Sequence, residues 1–274
     1  MLLRILKGIG NAIVWVVLIG VSIYPLLWTL VISLKDDRAA YQLPVQWIFK
    51  PDFSTYHELL TNGDFIAALI NSIELAGIAT LLCVFLGAAA AYALARYELR
   101  SAGTITMVFA ITRIVPSFAI VLPTFFIFRQ LNLLDSMFGL VMALTAFQLP
   151  LTVLIMVGVF KNVPAAIDEA ARMDGAGMIR VFFQIMLPIV RPGLFASAVV
   201  TFVLIWNEFL FILVLAGDKL VTIPMFIANF QTDKAILWSQ IAASSVISII
   251  PVVILIIFAQ KHLLAGLGFG AVKE

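Results

Sequence analysis

Long apolar runs dominate this chain and restrict its fold more than any other feature. Between Lys7 and Lys35 there is no charged side chain at all. Comparable runs recur along the rest of the 274 residues. An apolar helix of about 20 residues crosses the hydrocarbon core of a bilayer. A backbone in lipid must satisfy its own hydrogen bonds, and segments of this length do so as helices. Six segments qualify, roughly Asn11–Leu34, Ala67–Ala95, Ile105–Phe128, Met137–Phe160, Leu194–Gly217 and Trp238–Gln260. The expectation is an all-α membrane protein of six transmembrane helices, forming one domain over residues 1–274. The first segment follows Arg4 and Lys7 as a signal peptide would. It exceeds the about 7–15 apolar residues of such a peptide and is read as a retained span.

Composition supports a chain solvated mainly by lipid. Charged residues make up 12% of the sequence and mean hydropathy is +1.13. Soluble domains carry about 25% charged residues. A net charge of +2 gives no electrostatic basis for a nucleic-acid partner. With one cysteine, Cys83, and two histidines, His57 and His262, no metal-ligating cluster is expected. Cys83 reads as a small buried hydrophobe.

Lys and Arg set the orientation. The N-terminus, Arg96–Arg100, Lys161–Pro192 and the C-terminal tail hold ten of them, against six in the other loops. Both termini are therefore expected on the cytoplasmic side, with loops near Lys35–Ile66, Arg129–Asp135 and Asp218–Leu237 outside. Trp28, Trp47 and Trp238 fall near the outer ends, where aromatic rings favour the interface. Trp15 and Trp206 fit that pattern less well.

The longest inside loop, residues 161–192, is patterned as two short helices. Asn162 is available as a cap, and Pro164 suits a first turn. Asp168 and Arg172 are spaced to pair on a helix surface. Gly175 after Asp174 reads as a helix stop. Ile179, Phe182, Phe183 and Met186 then follow the spacing of one helical face, closed by Pro188. The string EAARMDGAGMIRVFFQIMLP, Glu169–Pro188, resembles the EAA signature of binding-protein-dependent ABC importer permeases, with Glu169, Ala170, Ala171, Asp174, Gly175, Ala176, Leu187 and Pro188 in place. PLLWTLVISLK, AAYALARYELR, LNLLDS, WNEFLF and the terminal AGLGFGAVKE are similar to carbohydrate-uptake permeases of the maltose-transporter type, and to the second permease subunit of such systems.

That resemblance implies the type I importer permease fold in the cell membrane of a prokaryote. The inside loop would serve as coupling element, with Glu169, Ala170, Ala171, Asp174, Gly175 and Ala176 docking on a cytoplasmic ATPase. Implied partners are a second permease, a dimer of ATPase subunits and an extracytoplasmic solute-binding protein. The chain has no phosphate-loop motif and no Gly-Lys dipeptide. ATP and Mg would therefore sit on the ATPase subunits, with no cofactor here and no enzymatic role.

Four polar residues fall within or near the spans: Glu74, Arg113, Asn207 and Glu208. Charge at the bilayer centre costs at least about 2.5–3.5 kcal/mol, so such groups mark either helix pairing or a solute path. Together they are the candidate solute pathway. An ion-gradient transporter working through Glu74 and Glu208 is the alternative reading. Pro116, Pro123, Pro150 and Pro251 are candidate kinks. Gly87 and Ala88–Ala91 suggest close helix packing.

Overall fold

The computed structural model describes residues 2–268 apart from 43, 45, 98, 218, 233 and 234; side chains are described for residue 11 and between 14 and 260. The resemblance at Phe269–Glu274, Asp218, and the side chains of Arg4, Lys7, Lys261, His262 and Lys273 lie outside the described residues. The described residues are helices joined by turns and loops, with one isolated bridge between Gln231 and Ile236.

The helices are α1 (Leu2–Ser33), α2 (Asp37–Ala40), α3 (Ser54–Thr61), α4 (Gly63–Arg96), α5 (Ala102–Thr112), α6 (Ser117–Gln130), α7 (Met137–Lys161), α8 (Ala165–Met173), α9 (Met178–Arg180), α10 (Leu187–Ile189), α11 (Arg191–Trp206), α12 (Leu210–Leu215), α13 (Ile223–Ala228) and α14 (Trp238–Gly268). Four stretches are long and apolar enough to cross a membrane unaided, within α1, α4, α7 and α14. Two bent pairs bring the number to as many as six.

Expectation and structure part within two of the predicted spans. The third predicted span is not one helix, since α5 and α6 meet at 94°. Pro116 lacks the N–H a continuous helix needs and restrains Val115 against helical geometry. Pro123, Pro150 and Pro251 lie inside unbroken α6, α7 and α14, so only Pro116 of the four marks a break. The fifth predicted span is also divided, with Asn207–Phe209 separating α11 from α12. Sixteen residues of α11 rise only about 24 Å, short of the hydrocarbon thickness, and α12 supplies further apolar turns.

The chain divides into two compact units. The first comprises residues 1–66 and 226–250. From Val14 to Leu30 its α1 is mostly uncovered by this chain, and Val16 and Val21 are about 70% exposed, as suits a lipid-facing helix. Trp28 meets Trp47 edge-on at 5.6 Å between centroids. Lys35 is buried; its Nζ donates to the Gln46 carbonyl at 2.8 Å and lies over the Phe49 ring. The Tyr41 hydroxyl donates to the Ile236 carbonyl, and the Ser239 N–H donates to Asp37 at 3.1 Å.

The second unit comprises residues 67–225 and 251–274 and holds two apolar cores. One gathers Leu75, Val121, Leu144, Trp206, Phe211 and Ile212. The other gathers Tyr92, Met156, Phe160, Phe182 and Met186. Small residues let α4 and α7 approach closely, as expected: a Cβ on Gly87 would lie 2.9 Å from the Thr152 methyl. Thr152 also shares a hydrogen bond with Thr201 at 3.0 Å, an interhelical contact worth about 0.6 kcal/mol in a membrane. Cys83 is buried beside the Thr145 carbonyl.

LNLLDS at Leu131–Ser136 is a rigid turn in this unit. Asn132 and Asp135 adopt left-handed φ of 55° and 51°, which their short polar side chains tolerate. Ser136 caps α7 by accepting from the Gly139 N–H at 3.1 Å. Asp135 receives the Gly217 N–H at 3.0 Å, and its own N–H donates to the Leu215 carbonyl.

Candidate functional site: the coupling loop and the broken spans

The loop between α7 and α11 is tied down by a buried ion pair and a hydrogen-bonded turn. Asn162 ends α7 rather than capping α8, which begins after Pro164 without a side-chain cap. Asp168 occupies the first turn of α8, where a carboxylate complements the exposed N–H groups.

The end of α8 explains much of the EAA string. Gly175 has φ of 80°, a conformation that favours glycine. The Ala176 N–H returns to the Ala171 carbonyl and the Gly175 N–H to the Arg172 carbonyl, both at 3.0 Å. These two bonds form a Schellman turn. Ala171 is buried in the second core and Ala176 packs against it, the apolar contact that accompanies such turns. Ala171, Gly175 and Ala176 thus shape the turn, while Glu169, Ala170 and Asp174 are exposed. The six predicted docking residues therefore divide into three that are presented and three that build the turn.

Beyond Gly177 the expected second helix takes another form. Val181–Met186 winds as a π-helix between α9 and α10. With more residues per turn it buries Val181, Phe182 and Met186 and leaves Phe183 48% exposed, and Ile179 before it is 74% exposed. The predicted single face is therefore split. Pro188 does not close the segment, which runs through α10 to Val190 before α11 departs at 78°. Met173, Met178 and Ile179 add exposed apolar surface beside the turn.

The predicted pairing of Asp168 with Arg172 is replaced. Asp168 is buried and meets Arg96, the last residue of α4, at 2.8 Å between Oδ2 and Nε. The Tyr92 hydroxyl donates to its other oxygen at 3.2 Å. Arg96 also donates to the Val163 carbonyl at 2.6 Å. Arg172 lies over the Tyr97 ring at 5.2 Å; hydrogen bonding with Tyr92 raises its pKa above the ordinary arginine value, so it remains a cation. Removing one partner of a buried pair costs about 3–5 kcal/mol, because the other charge is stranded.

The four polar residues in the spans do not form one cluster. Arg113, half-buried at the α5–α6 break, donates to the Phe147 carbonyl at 3.2 Å and Gln148 at 3.3 Å, with its guanidinium over the Phe147 ring. Phe147 packs on Phe211 at 4.9 Å, and Glu208 receives the Leu210 and Phe211 N–H groups at 3.1 and 3.2 Å. Arg113 thus reaches the Phe147 ring, which packs on the ring of Phe211, while Glu208 holds the Phe211 backbone N–H. Glu208 caps α12 at the α11–α12 break. Asn207 turns its amide back to the Val203 carbonyl of its own helix, and Glu74 is exposed on α4. A cavity of about 400 Å³ adjoins the two rings, lined in part by Thr112, Thr124, Phe147, Pro150 and Phe211. Phe147, Gln148 and Phe211 were not legible as site residues, since they read as ordinary span residues.

Long apolar helices, two broken spans and a polar-tipped loop are the architecture of a polytopic membrane protein. The chain belongs to the family described as binding-protein-dependent transport system inner membrane component, which matches residues 83–267. It is a multi-pass inner membrane transport component, not an enzyme, and this sets aside the ion-gradient alternative. It is 33% identical to the trehalose transport system permease protein SugB of Mycobacterium tuberculosis, over 97% of this chain and 99% of that one. It is 32% identical to the trehalose/maltose transport system permease protein MalG of Thermococcus litoralis, over 98% of each. The fold is similar to a chain of a bacterial ABC transporter involved in the import of the acidic polysaccharide alginate: TM-score 0.79 and 23% identity, over 94% of this chain and 96% of that one.

Proposed function

We propose that this permease forms half of the pathway of an ATP-driven importer for a sugar or related solute, such as a polyol or glycerol phosphate, delivered by a binding protein. The observation that carries this reading is the Schellman-closed α8, which presents Glu169, Ala170 and Asp174 beside exposed Met173, Met178 and Ile179. That mixed face suits docking on a soluble ATPase: apolar side chains supply area and the carboxylates supply direction. The Lys and Arg bias supports a cytoplasmic side for this loop and both termini. A second permease completes the pathway, and two ATPase subunits hold ATP and Mg. The names of the similar permeases, which cite trehalose and maltose, support a carbohydrate cargo. Arg113, Gln148 and Glu208 at the two breaks are the groups best placed to meet a hydroxylated solute, with Phe147 and Phe211 as apolar platforms. Asn207 bonds back to its own helix and Glu74 is exposed on α4, so they are secondary candidates.

Two measurements test the reading. Glu169→Lys is expected to reduce copurification of the ATPase by about tenfold or more, as loss of a directed contact worth about 1.4 kcal/mol or above requires. Undiminished copurification would refute docking through this face. The assembled complex with its binding protein should hydrolyse ATP faster with one member of a panel of sugars, polyols and glycerol phosphates. Stimulation by none of them, with uptake of a non-carbohydrate instead, would refute the cargo class.

A further inference from the structure

We infer that Arg96, Asp168 and Tyr92 form the joint that transmits movement of α8 to the end of α4, separate from the face that docks the ATPase. The inference rests on the docking reading above. α8 has only nine residues and joins its neighbours through Asn162–Pro164 on one side and Gly175–Gly177 on the other. α8 is not joined directly to α4 along the backbone, so side-chain contacts must couple the two. Apolar contacts at Ala171 hold the helix down but have no preferred direction.

The polar contact is directional and built from both sides. Tyr92 and Arg96 are one turn apart on α4 and so share a face. Both reach the same carboxylate, Tyr92 to Oδ1 at 3.2 Å and Arg96 to Oδ2 at 2.8 Å. Arg96 grips the entry to α8 as well, through the Val163 carbonyl at 2.6 Å. The side chains of Arg96 and Asp168 are each 7% exposed, so water does not screen the attraction. The hydrogen bonds from Tyr92 and to Val163 supply the direction, and the ion pair supplies the attraction that holds α8 to α4. Tyr92 is itself ringed by Phe160, Phe182 and Tyr97, so the α4 side of the joint is firmly seated. Any displacement of Asp168 therefore acts on the last two turns of a 34-residue helix. These are positioning residues: they touch neither nucleotide nor solute.

The test uses the complete complex, with ATPase subunits and binding protein, reconstituted in proteoliposomes. Asp168→Asn should retain the wild-type ratio of ATPase to permease and continue to hydrolyse ATP. Its solute uptake per ATP hydrolysed should fall about tenfold, within the range a coupling residue contributes. Arg96→Lys and Tyr92→Phe keep most of the local packing and should each lower the same ratio by about threefold. These two carry the test if Asp168→Asn fails to accumulate. Wild-type uptake per ATP in all variants that accumulate would overturn the inference, as would lower abundance with an unchanged ratio. Loss of the ATPase from Asp168→Asn would also overturn it, by making the pair part of docking. Failure of Glu169→Lys to release the ATPase bears on the docking reading alone.

Discussion

Replacing Gly175 by valine is expected to lower transport by about tenfold or more, while Gly175→Asn transports nearly as well as the parent. The residue sits at φ of 80°. That conformation costs an ordinary L-residue about 1–2 kcal/mol, and a β-branched residue is worse. No atom lies within 4 Å of a Cβ placed there, so the penalty is conformational and not a clash. Asparagine tolerates the left-handed region and is the matched control. Valine would relieve its strain by unwinding the turn, releasing the Ala171 and Arg172 carbonyls and shifting Asp174 with the end of α8. The turn lies in a polar loop between spans, so the amount of protein inserted should not change. Uptake normalised to permease in the membrane is the measurement. Equal transport by the valine and asparagine variants would show that the turn does not shape a working surface.

The apolar runs made the membrane fold legible, because lipid leaves a long hydrophobic segment few options but helix. They did not reveal the breaks. Hydropathy counts apolar residues and is blind to direction, so Thr112 to Ser117 and Trp206 to Leu210 read as uninterrupted spans. Pro116 was a signal, but Pro123, Pro150 and Pro251 carried the same one and sit in continuous helices. A helix in a bundle can satisfy the freed carbonyl locally and continue.

At the loop, Gly175 was legible because its chemistry is local. Asp168 was misread because helical spacing offered Arg172, whereas the stronger partner, Arg96, lies 72 positions earlier in the sequence. Burial decides between them, since a pair shielded from water outweighs an exposed neighbour at four-residue spacing. The apolar residues after Gly177 were assigned a helical face at 3.6 residues per turn. The π-helix changes that period and splits the face, and no side-chain pattern announced it.

Gly139→Ala is expected to produce the largest loss of stability among single-methyl additions to the glycines of this unit. A Cβ at Gly139 would stand 2.2 Å from the Leu133 carbonyl oxygen and 2.8 Å from Ser136 Oγ. The carbonyl is backbone, so it cannot move aside as a side-chain tip can. It belongs to a turn already pinned at Asn132 and Asp135 by left-handed φ values and tied to Gly217 through Asp135. Overpacking of this kind costs about 1–3 kcal/mol. Displacing Ser136 would add the loss of the α7 cap, about 1 kcal/mol. A change of 1 kcal/mol moves the thermal midpoint of a chain this long by about 2–4 °C, so a drop of several degrees is expected for the purified permease. Gly158→Ala is the comparison: no atom lies within 4 Å of its Cβ, inside the same helix. There the methyl group only reduces the freedom of the unfolded chain, so the midpoint should hold or rise slightly. If the two substitutions behave alike, the Leu131–Ser136 turn does not anchor α7. If Gly139→Ala alone is destabilised and also weakens uptake, the turn's tie to Gly217 extends its influence to the α12 end of the broken span.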